Sequence, residues 1–291
     1  MGKKGSATFK SVFEIMDDLG YLITYPTKAN VIIVIGSTET AIKYFNKLNR
    51  RKNRILISIS EDGSYVIPLI GETRGGSLLG SMISDLLGAE LVLTSFFSQN
   101  VISTLDEFLW VNGLKIINPE TKSAVNRTLR EEKKVRILVD CKCMELKIND
   151  GFEIVKELDK ADIIVTKDYE KYIGTGKAIL KPREILFPIW FTNSTPLETI
   201  IYSIFTTMKS AFLFEKRVDK LFVPQHTNMK FLDGITHVLR TDVCKLDVEM
   251  YTTDENDYME LCSHILSRNG GKLLLKPKKR AMGVITCLGI K

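Results

Sequence analysis

The chain has 291 residues, 44% hydrophobic and 26% charged, the composition of a folded globular protein with room for two or three domains. No apolar run reaches the roughly 18 residues that would span a bilayer, and the basic start MGKKGSATFK lacks the long apolar run of a secretory leader. A formal net charge of +6 favours an anionic partner, while the dispersed basic residues, without interleaved aromatics, argue against nucleic acid.

Taken in order, Phe9–Leu19 has the apolar spacing of a helix and Tyr21–Thr24 that of a short strand. Val31–Ile35 predicts a buried strand that ends in Gly36-Ser37-Thr38, and Thr40–Lys47 predicts a helix. The basic cluster Asn49–Arg54 reads as a solvated helix end, where cations suit the dipole. Arg54–Ser58 is the next strand, and Glu61–Ser64 supplies turn chemistry for a hairpin-like entry into Tyr65–Ile70. The loop Gly71–Ser77 leads into a helix over Ser77–Leu87 with one wide apolar stripe at Leu78, Met82 and Leu86 and at Leu79, Ile83 and Leu87 beside them. Gly88 closes that helix, and Leu91–Leu93 begins another strand. The alternation predicts an α/β fold, with an N-terminal three-layer domain and a mostly parallel sheet over residues 1–105.

Helical patterns at Thr104–Asn112 and Lys122–Lys133, with strands at Ile116–Pro119, Val135–Asp140, Ala161–Thr166 and Lys177–Lys181, mark a small middle α/β domain over 106–183. A C-terminal α/β domain over 184–291 has strands at Glu184–Phe191, Lys220–Pro224, Lys245–Tyr251, Lys272–Leu275 and Gly283–Leu288. Helices at Leu197–Phe212, Met229–Leu239 and Glu255–Arg268 lie between them. Asn193 or Ser194, or Thr195 with Pro196 at the first helical position, is placed to cap the Leu197 helix. Pro277–Arg280 is expected to be a turn between the last two strands.

The loop Gly71–Ser77 is the first place to look for chemistry. Its glycines permit a sharp turn, the helix behind it favours an anion near Gly75–Ser77, and Arg74 adds a donor for carboxylate. A lone glycine-rich turn is weak evidence, because strand-to-helix turns also use Gly and Ser for purely structural ends. The five cysteines are scattered, with no CxxC pair, and read as reduced core residues; Cys141 and Cys143 share one strand face. The three histidines, His226, His237 and His264, show no metal-ligand spacing, so no metal site is expected.

Several stretches in order resemble cobalamin biosynthesis protein G, the cobalt-precorrin-5A hydrolase family. They are Asp62–Ile70 with Arg74-Gly75-Gly76 and Leu86–Ala89, then Val111–Pro119 with Ala161–Thr166, then Leu273–Ile290. Together they cover most of the chain from Val31 onward. The resemblance implies a cytoplasmic hydrolase of the anaerobic cobalamin pathway that opens the ring A δ-lactone and releases acetaldehyde. Its partner would be a cobalt-bearing tetrapyrrole, with no cofactor of the protein's own, no membrane and no nucleic acid; a non-catalytic corrinoid carrier and a homodimer are both compatible with it.

The resemblance implies Glu72 as base and Ser77 beside it. Thr38, Glu39, Lys43, Thr73, Arg74, Gly75, Gly76, Asn193, Ser194, Thr195, Lys276 and Lys278 would meet the substrate's carboxylates. The chain departs from the family at polar positions. Thr73 stands in place of its loop His, Leu78-Leu79 in place of its Asn-Glu, and Thr192–Thr195 lacks both family arginines.

Overall fold

Three β-sheets succeed one another along the chain in a computed structural model that describes residues 3–48, 54–141, 144–246 and 255–291. Expectations for the basic run 49–53, for Cys143 and for the end of the strand 245–251 lie outside the described residues.

The first sheet has the order β1 (Val31–Ile35), β2 (Ile55–Ile59), β3 (Tyr65–Ile70), β4 (Glu90–Leu91). The helices around it are α1 (Lys3–Asp18), α2 (Thr38–Lys47) and α3 (Gly76–Leu87). β1 pairs with β2 and β3 with β4 in parallel, while β2 and β3 form an antiparallel hairpin, so two of the three pairings in the sheet are parallel. The reversal is local chemistry: Asp62 accepts from the Ser64 amide at 3.1 Å and from both flanking serine hydroxyls, while Gly63 takes φ 77°. One face buries Ile57, Ile59 and Val66 with Val12 and Met16 of α1 and Leu79 and Ile83 of α3. The other buries Ile32 and Leu56 with Ala41 of α2, completing three layers. Tyr21–Thr24 is not a strand.

The middle sheet follows α4 (Phe96–Gln99) and α5 (Leu105–Val111). Its elements are β5 (Leu114–Ile116), α6 (Lys122–Glu131), β6 (Val135–Asp140), β7 (Phe152–Val155), β8 (Ile163–Thr166) and β9 (Ala178–Pro182), in strand order β5-β9-β8-β6-β7. Only β5 runs antiparallel. β7, a four-residue edge strand, had no sequence signal.

The third sheet is formed by β10 (Ile185–Trp190), β11 (Lys220–Pro224), β12 (Asp242–Leu246), β13 (Lys272–Lys279) and β14 (Ile285–Ile290). Its order is β12-β11-β10-β14-β13, with helices α7 (Leu197–Ser210), α8 (Met229–Leu239) and α9 (Glu255–Arg268). β10, β11 and β12 are parallel, as successive strand–helix–strand crossovers require, and β14 is antiparallel to β10. β13 continues through Pro277 to Lys279, so the expected turn there is instead a strand end, and the reversal falls at Ala281–Gly283. α7 buries Ile200, Ile204 and Met208 on one face of the sheet, and α9 buries Leu261, Ile265 and Leu266 on the other. Each such side chain contributes ~1.5–3 kcal/mol through lost apolar contact with water.

The cysteines correct one expectation: Cys262 of α9 and Cys287 of β14 are paired as a disulfide, with Cα atoms 6.5 Å apart, while Cys141 and Cys244 are free thiols. Polar contacts tie the three sheets together. The Tyr21 hydroxyl donates to the Ser210 carbonyl at 2.8 Å, and the Trp110 indole to the Ala211 carbonyl at 2.7 Å.

Candidate functional site

In Gly71–Ser77 the strand-to-helix turn closes on itself. Gly71 and Gly75 occupy left-handed backbone at φ 77° and 103°, with Glu72–Arg74 a single 3-10 turn between them. The amides of Arg74 and Gly76 both donate to the Gly71 carbonyl, at 2.9 and 3.0 Å. Gly76 is required by proximity, because a Cβ there would lie 2.8 Å from that same oxygen. The amide expected to face an anion is therefore consumed inside the loop.

Glu72, expected as the base, is buried, and its carboxylate holds the segment after β4. Oε2 accepts from the Thr94 amide and hydroxyl at 3.2 and 3.3 Å, and Oε1 from the Ser95 amide at 3.0 Å and the Ser98 hydroxyl at 2.7 Å. Burial pulls its pKa up, but the serine hydroxyls and the two amides outweigh it, and the net shift is downward. A carboxylate with four donors and depressed basicity is a clamp and a poor proton acceptor.

Ser77 is also engaged. Its hydroxyl donates to Glu107 Oε1, and Glu107 Oε2 accepts from the Thr104 amide at 2.9 Å. Thr104 and Glu107 form the capping box of α5, and the Thr104 hydroxyl donates to the Thr73 carbonyl at 2.7 Å. The negative group that the α3 N-terminus favours is thus Glu107, brought by the chain itself. Burial raises the Glu107 pKa against the opposing bonds from Ser77 and Thr104. Arg74 is exposed and donates from Nη2 to the Arg54 carbonyl at 3.2 Å.

Thr38, Glu39 and Lys43 lie at the other edge of the same sheet. Gly36 follows Ile35, whose partner is Ile59, whereas Gly71 follows Ile70, whose partner is Leu56. Five residues of strand at about 3.3 Å each put roughly 16 Å between the two edges. All three side chains are exposed on α2, with Glu39 and Lys43 paired at 2.5 Å and Ser37 capping the helix.

The third expected group sits where the parallel strands β10 and β11 end, the edge at which open α/β sheets take ligands. Thr192, Ser194 and Thr195 form a hydroxyl cluster, Thr192 Oγ1 lying 2.9 and 3.2 Å from the hydroxyls of Ser194 and Thr195. None of these side chains caps α7: its N-cap is Pro196, without a side-chain bond. The loop after β11 closes against this cluster, with His226 Nε2 3.3 Å from the Phe191 carbonyl. Phe191, Thr192, Asn193, Thr227 and Asn228 line a shallow surface depression. It does not enclose a macrocycle, and a ligand would meet these residues from the surface. Thr227 and Asn228 carry no signal in the sequence, and His226 stands there only as one of three scattered histidines, because only the β10–β11 pairing brings them beside Phe191 and Thr192.

Lys278 shares this edge. It pairs with Thr286, which pairs with Ile189. Lys276 and Lys278 nevertheless both bind Asp17 at the end of α1, Lys278 at 2.7 Å, so their charges join α1 to β13. The hydrogen bonds from Lys276 and then Lys278 lower the Asp17 pKa. Among the described residues no group of three or more His, Cys, Asp or Glu is placed to hold a metal ion. No helix among them is long and apolar enough to cross a membrane.

No family model matches the chain, and no curated protein matches it. Among solved structures, the chain is similar to a protein from Sulfolobus solfataricus described as a cobalamin biosynthesis protein G homolog. The TM-score is 0.61 at 15% identity, covering 99% of this chain and 94% of that one. The likeness therefore concerns the fold, and it runs through all three sheets.

Proposed function

We propose that this protein binds a cobalt-bearing, carboxylate-rich tetrapyrrole of cobalamin biosynthesis. The observation that carries the reading is the likeness over 99% of the chain to a structure described as a cobalamin biosynthesis protein G homolog. The Asn193 amide with the Thr192 and Ser194 hydroxyls, exposed at the carboxyl end of β10, supports it by offering donors for a peripheral carboxylate. Thr38 and the Arg74 rim are further donors, at separate edges of the first sheet. Anaerobic titration with the tetrapyrrole lactone, followed by its absorbance, tests this reading; saturable binding weakened by Asn193→Ala is the expected result.

A second, finer reading is the hydrolase itself, opening the ring A δ-lactone with release of acetaldehyde. One observation favours Glu107 over Glu72 as its proton acceptor. Glu107 touches the Ser77 hydroxyl, and its proton affinity is raised by burial, whereas that of Glu72 is lowered. Acetaldehyde release by the wild type, lost in Glu107→Gln and kept in folded Glu72→Gln, is the outcome expected of it. Tight binding without acetaldehyde leaves the carrier.

A further inference from the structure

Arg54 immediately precedes β2, and the sequence places it in a solvated basic end. It is 3% exposed, and among the described residues its guanidinium has a single partner: Nη2 donates to the Thr27 carbonyl at 2.6 Å. Nε and Nη1 are buried and meet no acceptor among the described residues. Arg74 comes to the same corner from the Gly71–Arg74 turn, its Nη2 on the Arg54 carbonyl. Among the described residues neither guanidinium forms an ion pair. A buried, permanently charged group with unmet N–H donors is strongly unfavourable unless a counter-ion completes it. An oxyanion is the group whose geometry matches a guanidinium.

We propose that this corner, between the 25–28 turn, the start of β2 and the Gly71–Arg74 turn, is an oxyanion-binding site. Arg54 supplies its buried donors and Arg74 stands at its rim. The ligand is a carboxylate or phosphate group of a small molecule. The proposal is independent of the tetrapyrrole reading, since a simple anion suffices to occupy the site.

The test is calorimetric titration and thermal unfolding of the whole chain with inorganic phosphate and, separately, citrate, against sodium chloride of matched ionic strength. At least one anion is expected to bind saturably and raise the unfolding midpoint, and which one does so sorts phosphate from carboxylate. Loss of one charge-assisted donor corresponds to about tenfold or more in affinity, so Arg54→Met weakens binding by at least that factor and Arg74→Ala by a smaller one. In anion-free buffer Arg54→Met melts higher than the wild type, because the uncompensated charge is gone. Four results overturn the proposal: indifference of the wild type to both anions, an unchanged response in Arg54→Met, a lower midpoint of that variant in anion-free buffer, or an Arg74→Ala affinity equal to wild type.

Discussion

The loops at Gly71–Ser77 and at Thr192–Thr195 make opposite use of their polar atoms. In the first, the Gly71 carbonyl, the Gly76 amide, the Glu72 carboxylate and the Ser77 hydroxyl all have partners within the protein. In the second, the hydroxyls bond one another at the mouth of an open depression, and Asn193 and Ser194 are exposed. The glycine-rich loop looks like a ligand cradle because tight turns and anion cradles need the same residues. Its polar groups serve mainly to join α3, α5 and the segment after β4. The loop without a glycine signature keeps its donors near solvent.

The largest effect that separates the two is expected at Glu72. Glu72→Ala strands the Thr94 and Ser95 amides and should lower unfolding free energy in urea by about 3 kcal/mol or more; a loss below ~1 kcal/mol would break the contrast. Gly76→Ala comes next, since its Cβ would meet the Gly71 oxygen at 2.8 Å. A cost of about 2 kcal/mol is expected from the forced backbone shift.

Glu107→Gln should stay within about 1 kcal/mol of wild type, because Gln also completes a capping box. The two glutamates then differ in sign against pH. Glu72 has a folded pKa below its unfolded value, so its contribution is full above about pH 4.3 and is lost as pH falls through the folded pKa. Glu107 has a raised folded pKa, so its contribution is full below about pH 4.3 and is lost as pH rises through the folded value. Urea midpoints of the wild type, Glu72→Gln and Glu107→Gln across acid pH would show the opposing slopes. Parallel slopes would contradict the assignment.

Smaller still is Asp17→Asn, which loses two bridges to Lys276 and Lys278 at a partly exposed site. Less than about 1 kcal/mol is expected, shrinking with added salt. Asn193→Ala, at an exposed loop position, should leave stability within about 0.5 kcal/mol and reveal itself only in ligand binding.

Much of the fold was legible because it rests on local pattern. The Val31–Ile35 and Ile163–Thr166 runs, the apolar face of α3 with Leu79 and Ile83, and the helical pattern from Thr104 each carry their signal within a few residues. The hairpin between β2 and β3 is visible as turn chemistry at Asp62-Gly63, and the other two pairings of that sheet are parallel. β7 was missed because Phe152–Val155 is short and lies at an edge. The site was less legible, since partners there are distant in sequence. Ser77 meets Glu107, His226 meets the Phe191 carbonyl, and Lys276 meets Asp17 across 259 positions. Residue type alone marks Glu72 as an acid beside glycines; only the fold shows its oxygens filled.

The most direct test of the central claim is anaerobic titration of the whole chain with the cobalt-bearing tetrapyrrole lactone, for the wild type and Asn193→Ala. The account predicts saturable binding for the wild type and about tenfold weaker binding for the variant, as loss of a donor to a carboxylate implies. Absence of saturable binding by the folded wild type, or identical affinity in the variant, would contradict it.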